Sequence, residues 1–410
     1  MTKFHFYLRN VAMIIACLAV STMFSGCEPE EPNGGGDDPI VGELTELVFP
    51  ITQNTTLKDL GLDIDYVCNV SGAGEIKNNA TLTIEPGVTI QFTKSGGAIE
   101  VKQGGCIKAI GTDTKHIKFI GVGTQKGSWD YIRISSNAAN EFVYCDFING
   151  GKRTGGAGVV ELWDDGSELN MSHCKISGGL AYGLYSTYLP GVIPTFKNNV
   201  IEGCVAPVYL NHIRQAVDFD MTSTYANNTN NYVTIKDFAL PAQTNLTVGR
   251  TGVPYFIETY GEMLGNLTIT EGVTFYMDAD AGISIVNNAA ASLTVNGTAA
   301  NPVTFTRLPG SSYYWASSGA MGIQLGKGNH TINHCIIEYG AGRSGVGAIS
   351  MSGETSLTIS NTVIRNSNHY GFYVSRGHTN VSVNHTNVTF ASNADGNVYW
   401  HDGVVYTQIP

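Results

Sequence analysis

The feature that most constrains this chain is a duplication. Leu82-Thr83-Ile84-Glu85-Pro86-Gly87-Val88-Thr89-Ile90 returns as Leu267-Thr268-Ile269-Thr270-Glu271-Gly272-Val273-Thr274-Phe275. Ala109-Ile110-Gly111-Thr112 followed by Ile117-Lys118-Phe119 returns as Val295-Asn296-Gly297-Thr298 followed by Val303-Thr304-Phe305. Tyr182-Gly183-Leu184-Tyr185 returns as Tyr370-Gly371-Phe372-Tyr373, and Val208-Tyr209 as Val398-Tyr399. The copies lie about 188 residues apart, too far for one supersecondary unit, so each copy is a block of several smaller ones.

A finer period runs inside each block. Phe142-Val143-Tyr144-Cys145-Asp146-Phe147, Met171-Ser172-His173-Cys174-Lys175-Ile176 and Phe196-Lys197-Asn198-Asn199-Val200-Ile201 share a pattern of apolar, any, polar or aromatic, small, any, apolar. The second block repeats it at Ile332–Ile337, Ile359–Ile364 and Val383–Val388. Spacings of about 24 to 29 residues suit one coil of a solenoid, which buries its inner side only by stacking on the next coil. With 14% charged residues and 49 glycines, and with β-branched and aromatic residues alternating with polar ones, these are strand repeats and not helical ones.

Of the strand-rich solenoids, the leucine-rich horseshoe needs a leucine and asparagine frame that is missing. In a parallel β-helix, equivalent residues of successive coils lie about 4.8 Å apart, so small or amide side chains stack as ladders. Cys145, Cys174 and Asn199 fit one ladder, and Cys335, Thr362 and Thr386 another.

These phrases, with the return through Gly252-Val253-Pro254-Tyr255-Phe256-Ile257, resemble the right-handed parallel β-helix repeat proteins of bacterial surfaces, within the pectate-lyase-like superfamily. The resemblance spans roughly residues 45 to 410 and implies an all-β, right-handed parallel β-helix. About 14–15 coils, and a rod on the order of 70 Å, follow at roughly 25 residues per coil. We place a first block at 45–250 and a second at 251–410, continuous with it.

Ahead of the repeats stands an address. Lys3 and Arg9 precede the apolar run Val11–Val20 and a small-residue end at Ser25-Gly26-Cys27, the pattern of a secretory signal over 1–26. Ser25-Gly26-Cys27 resembles the lipobox of bacterial lipoproteins, although Phe24 departs from the usual aliphatic residue. The resemblance implies lipidation of Cys27 and anchorage in the outer membrane; an ordinary cleaved signal, giving a secreted protein, is the alternative. Residues 27–44 are acidic and rich in Gly and Pro, a flexible tether, and acids directly after the cysteine resemble the export signal of surface lipoproteins in Bacteroidota. The net charge of −11 excludes a general attraction to nucleic acid.

Outside the leader, the cysteines read as packing. Cys145, Cys174 and Cys335 occupy the small ladder position, which favours buried thiols, with a Cys145–Cys174 bridge as the alternative. His173-Cys174 and His334-Cys335 lack the companions of a metal site, and the residue before each cysteine suits a corner better than a ligand.

Strand alternation locates the candidate site. With Ile132, Ile134, Val160, Leu162, Leu184, Val208 and Leu210 pointing in, Tyr131, Arg133, Glu161, Trp163, Tyr185, Tyr209 and Asn211 point out along neighbouring coils. Rings for sugar CH faces and forks for hydroxyls and carboxylates suit a glycan. The second block has Gln324, Ser350, Ser352, Tyr373, Tyr399 and His401 at equivalent places, so the charged pair and the tryptophan are particular to the first.

The best catalytic cluster is Arg133, Arg153, Glu161, Asp164 and Asp165, for a polysaccharide lyase, which alone would call for Ca2+, or a glycoside hydrolase. Asp164-Asp165-Gly166-Ser167 also reads as a plain turn, and Arg153 has a counterpart in Arg343. The sequence therefore favours a surface lipoprotein that binds glycan or an extracellular-matrix partner without catalysis or cofactor. The lyase or hydrolase and a ligand-free spacer are the alternatives.

Overall fold

The structure, a computed structural model, describes residues 43–187, 191–285, 291–319 and 321–410. The leader, Cys27 and nearly all of the tether lie outside the described residues. The chain from Thr45 onward is a right-handed parallel β-helix of about 13 turns, with 48% of residues in strands. Among the described residues the only helical turn is a 3-10 turn at Ile213–Ala216. Among the described residues no helix is long and apolar enough to cross a membrane.

A coil of the first block has three strands, such as Ala98–Lys102, Cys106–Ile110 and Ile117–Gly121. The first stacks in register on Ile132–Ser135, pairing Glu100 with Arg133. The count falls short of 14–15 because inserted loops lengthen coils: the cross-coil partners Lys108 and Glu141 are 33 residues apart, and Ser284 and Gln324 are 40.

Alternating residues fill the interior. Phe119 stacks on Phe147 at 5.0 Å and Phe275 on Phe305 at 5.2 Å, all four fully buried. The cysteine ladder is as expected. Cys145 and Cys174 are buried, free thiols whose Sγ atoms lie 3.3 Å from the carbonyls of Ala109 and Phe142. Burial pushes the pKa of Cys145 up first, and its contact with Cys174 adds to this. Asn199 continues the ladder, its Oδ1 accepting the Cys174 N–H at 3.0 Å.

Before each of Cys145, Cys174, Asn199, Cys335 and Thr362 the chain turns through a single left-handed residue; in the next coil the residue paired with Thr362 is the buried Val388 and not the expected Thr386, which is exposed, and the corner there is Asn387. Tyr144, His173, Asn198, His334, Asn361 and Asn387 have φ of 49°, 54°, 56°, 47°, 48° and 54°. These positions are corners, and asparagine recurs because its short amide tolerates that conformation.

One face runs the length of the rod. It begins with Ala73–Ile76 and Ala98–Lys102, continues through Ile132–Ser135, Gly158–Leu162, Tyr182–Ser186, Ala206–His212 and Val233–Asp237, then passes without interruption into Tyr255–Ile257, Thr274–Met277, Val303–Arg307 and Cys335–Glu338. The two copies do not stack like on like. Ile117–Gly121 belongs to a separate eight-stranded sheet, whereas its copy Val303–Arg307 lies on the long face. Conversely Tyr182–Ser186 lies on the long face and its copy Tyr370–Val374 on a seven-stranded sheet. The second block is thus offset by one face. The 3-10 turn at Ile213–Ala216 comes where the six-stranded sheet ending at Val192–Lys197 stops.

Candidate binding cleft beside the Arg133 stack

The predicted strip is real as a register. Arg133 pairs with Glu161, Glu161 with Tyr185, and Tyr185 with Tyr209 on successive coils of the long face. Its exposure is not as expected. Glu161, expected as an accessible polar contact, is 0% exposed.

Its carboxylate is enclosed by donors. Nε and Nη2 of Arg133 both lie 2.9 Å from Oε2, while Oε1 accepts from Arg153 Nη2 at 2.5 Å and from the Gly158 N–H at 3.0 Å. Arg153 reaches in from the glycine-rich loop and also donates to Asp130 Oδ1 at 2.9 Å. Burial opposes charge on Arg153, but Glu161 and then Asp130 more than offset it and hold its pKa above the ordinary value. The Arg133 guanidinium lies 3.7 Å from the Trp163 ring centroid and 4.2 Å from that of Tyr131, with Arg153 4.5 Å from Tyr131. Trp163, Arg133, Tyr131 and Arg153 therefore form one pile of alternating rings and cations. Glu100 adds a carboxylate 4.0 Å from Arg133, so two guanidiniums face three acids and have little charge left for an anionic ligand.

The second copy shows what is frame and what is special. The Gly347 N–H donates to Ser350 Oγ at 3.0 Å, as the Gly158 N–H does to Glu161. Serine suffices for that local bond; glutamate is needed only to hold the two arginines. Arg343 donates to the Ser318 carbonyl instead of to an acid. Tyr182, Tyr185 and Tyr209 pack with centroids 5.5, 5.2 and 4.9 Å apart, and Tyr370, Tyr373 and Tyr399 at 5.8, 5.2 and 4.9 Å. The tyrosine trio is thus architecture, its rings covering one another from coil to coil. Asn211 lies half-buried two residues beyond Tyr209.

Another repeated pair escaped the sequence reading. Trp129 and Trp315, both fully buried, donate their indole N–H to the Ile148 and Glu338 carbonyls at 2.8 Å each. Gly150 and Gly340 give them room, since a Cβ there would meet the indole at 2.6 and 2.8 Å. The tryptophan-to-glycine spacing differs between the copies, 21 residues against 25, so no fixed period marked the pair.

Asp164 and Asp165 are exposed in the expected turn, where the Asp164 carbonyl accepts from the Ser167 amide and hydroxyl. Asp165 borders a different cavity, with Ile193, Arg214 and Val217. They therefore do not share an accessible point with Glu161. Among the described residues no group of three or more His, Cys, Asp or Glu gathers as a metal site.

What stays open is a cleft of about 640 Å3 beside the pile, lined by Tyr131, Asp130, Lys152, Arg153 and Thr154 over a floor of Ser71, Gly72, Gly96, Gly156 and Ala157. Its size lies within the roughly 300–1,000 Å3 of small-ligand sites. Comparison with family models, curated proteins and solved structures finds no match for the chain. The cleft's chemistry must speak for itself.

Proposed function

We propose that this is a lipid-anchored protein of the outer-membrane surface whose β-helix binds a neutral glycan in the cleft beside Tyr131. The observation that carries the reading is the specialisation of one copy: the Trp163–Arg133–Tyr131–Arg153 pile, locked by Glu161, presents Tyr131 and Arg153 to an open cleft. The duplicated position holds only Ser350. Preorganised polar forks beside an aromatic ring suit sugar hydroxyls and CH faces. Neutrality follows from the charge balance, because the cations Arg133, Arg153 and Lys152 are matched in number by Glu161, Asp130 and Glu100, with both arginines ion-paired. The anchor rests on Ser25-Gly26-Cys27 and the acidic stretch after it. Binding without turnover is favoured because Glu161 has both carboxylate oxygens occupied by donors, while Asp164 and Asp165 lie apart from it in an exposed turn.

A glycan array probed with the full exported chain tests this. Wild type is expected to bind neutral glycans, and Tyr131→Ala and Lys152→Ala to lose at least tenfold in affinity, with the melting temperature unchanged in Lys152→Ala and modestly lowered in Tyr131→Ala, which also takes a ring out of the arginine pile. Absence of binding to every glycan would overturn the reading and leave a spacer. Release of new reducing ends or unsaturated products from a bound glycan would overturn its non-catalytic part.

A further inference from the structure

The long face carries a second cleft in the other copy, of about 520 Å3, and its charge balance is different. Arg307 ends the strand Val303–Arg307 and lines this cleft with Tyr276, Ser311, Glu338 and Tyr339. Its guanidinium lies 4.0 Å from the Tyr339 ring centroid and 5.7 Å from that of Tyr314, and Nη1 donates to the Tyr313 carbonyl at 3.1 Å. Among the described residues it joins no ion pair. The acid nearest in the lining, Glu338, is occupied otherwise, accepting from Arg365 Nε at 2.7 Å and from Thr306 Oγ1 at 2.9 Å.

A half-buried guanidinium, fixed between two tyrosines and spending one nitrogen on a carbonyl, keeps donors of a planar fork for a ligand. Such a fork matches a carboxylate in two-point geometry. Tyr276 and Tyr339 line the same cleft, and Ser311 brings a hydroxyl whose proton already goes to the Leu308 carbonyl at 2.6 Å, leaving lone pairs to accept from a sugar hydroxyl.

We propose that the Arg307 cleft is a binding site for an acidic sugar, with a uronate carboxylate seated on Arg307 and the sugar ring against Tyr276 and Tyr339. The site is separate from the Tyr131 cleft and takes an anionic ligand where that cleft takes a neutral one. Arg133 and Arg307 differ in what surrounds them: Glu161 and Glu100 face the first, and a carbonyl and two nearby rings hold the second. Seven coil steps separate the two arginines along the face, about 34 Å at the interstrand spacing.

Titration calorimetry of the full exported chain with tetragalacturonate, with its methyl ester and with inorganic phosphate tests the site. Tetragalacturonate is expected to bind at least tenfold more tightly than its ester, with affinity falling as salt rises. Arg307→Ala should abolish that preference. Arg307→Lys, which keeps the charge but not the fork, should retain a weakened form of it and guards against a folding artefact, as does an unchanged melting curve. Tyr131→Ala should leave it untouched. Equal binding of acid and ester, an unaltered preference in Arg307→Ala, or phosphate competing as well as the uronate would each overturn the proposal. Loss of neutral-glycan binding in Tyr131→Ala with uronate binding intact would separate its fate from that of the first cleft.

Discussion

Replacing Glu161 by glutamine is the sharpest test of how the first cleft is built. The side chain keeps its shape and one acceptor oxygen but loses the charge that two guanidiniums share, and its new amide presents donors to donors. Breaking a buried ion pair from one side costs about 3–5 kcal/mol. Here the low end applies, because Arg153 is 34% exposed and retains Asp130, and Arg133 retains Glu100 at 4.0 Å. We therefore expect about 3 kcal/mol. A solenoid transmits such a loss mainly to neighbouring coils, so the assay is native-state hydrogen exchange. Amides of Ile132–Ser135, Gly158–Leu162 and Tyr182–Ser186 should exchange about 150-fold faster, while those of Val303–Arg307 stay unchanged. Adding Arg133→Met removes a stranded cation and should recover about 1–2 kcal/mol, since apolar replacements of buried pairs are often neutral or stabilising. An effect of Glu161→Gln below about 0.5 kcal/mol, the size of an ordinary surface change, would refute the enclosed carboxylate.

Two further outcomes follow from the geometry. At the Asn361 corner, valine should cost about 2–3 kcal/mol from left-handed strain and from the lost amide bonds to Asn333 and Asn387 at 3.2 and 3.0 Å, and glycine only about 1; equal melting temperatures for the two variants would contradict the corner assignment. Glu258 has its pKa raised above 4.5, first by burial and further by Asp278, against the lowering effects of the Tyr209 hydroxyl and Lys236. A carboxyl whose folded pKa is raised favours the folded state at low pH, and that contribution is lost as pH rises from the ordinary value through the raised one. The melting temperature of Glu258→Gln minus that of wild type should therefore grow from pH 4 to pH 7 in thermal melts, and a constant difference would contradict the burial.

The period of the sequence was enough to place Arg133, Glu161, Tyr185 and Tyr209 on one face in the correct register, because alternation and coil spacing are local properties of each strand. Depth was not legible. Alternation says which side a residue takes, and Glu161 does point away from the core, but Arg153 closes over it from a loop that obeys no period. The tyrosine trio, duplicated at Tyr370, Tyr373 and Tyr399, packs ring on ring from coil to coil in both blocks, a contact that alternation alone does not reveal. The offset between blocks was hidden because it depends on which sheet each strand joins, and duplicated sequence shows the copies without their sheets. Arg307 was missed for the same reason, since its significance comes from which face its strand joins.

That offset has a consequence for anything lying along the rod. Had the copies stacked like on like, the long face would show the same succession of side chains twice, and a repeating polymer shifted by one block would find equivalent contacts. Instead Tyr185 and Tyr209 are followed by Thr234, Phe256 and Tyr276, the last two contributed by a strand type that sits on another side in the first block. The face is aperiodic although the sequence is duplicated. It therefore has a direction, and a chain with distinct ends can be told from the same chain reversed.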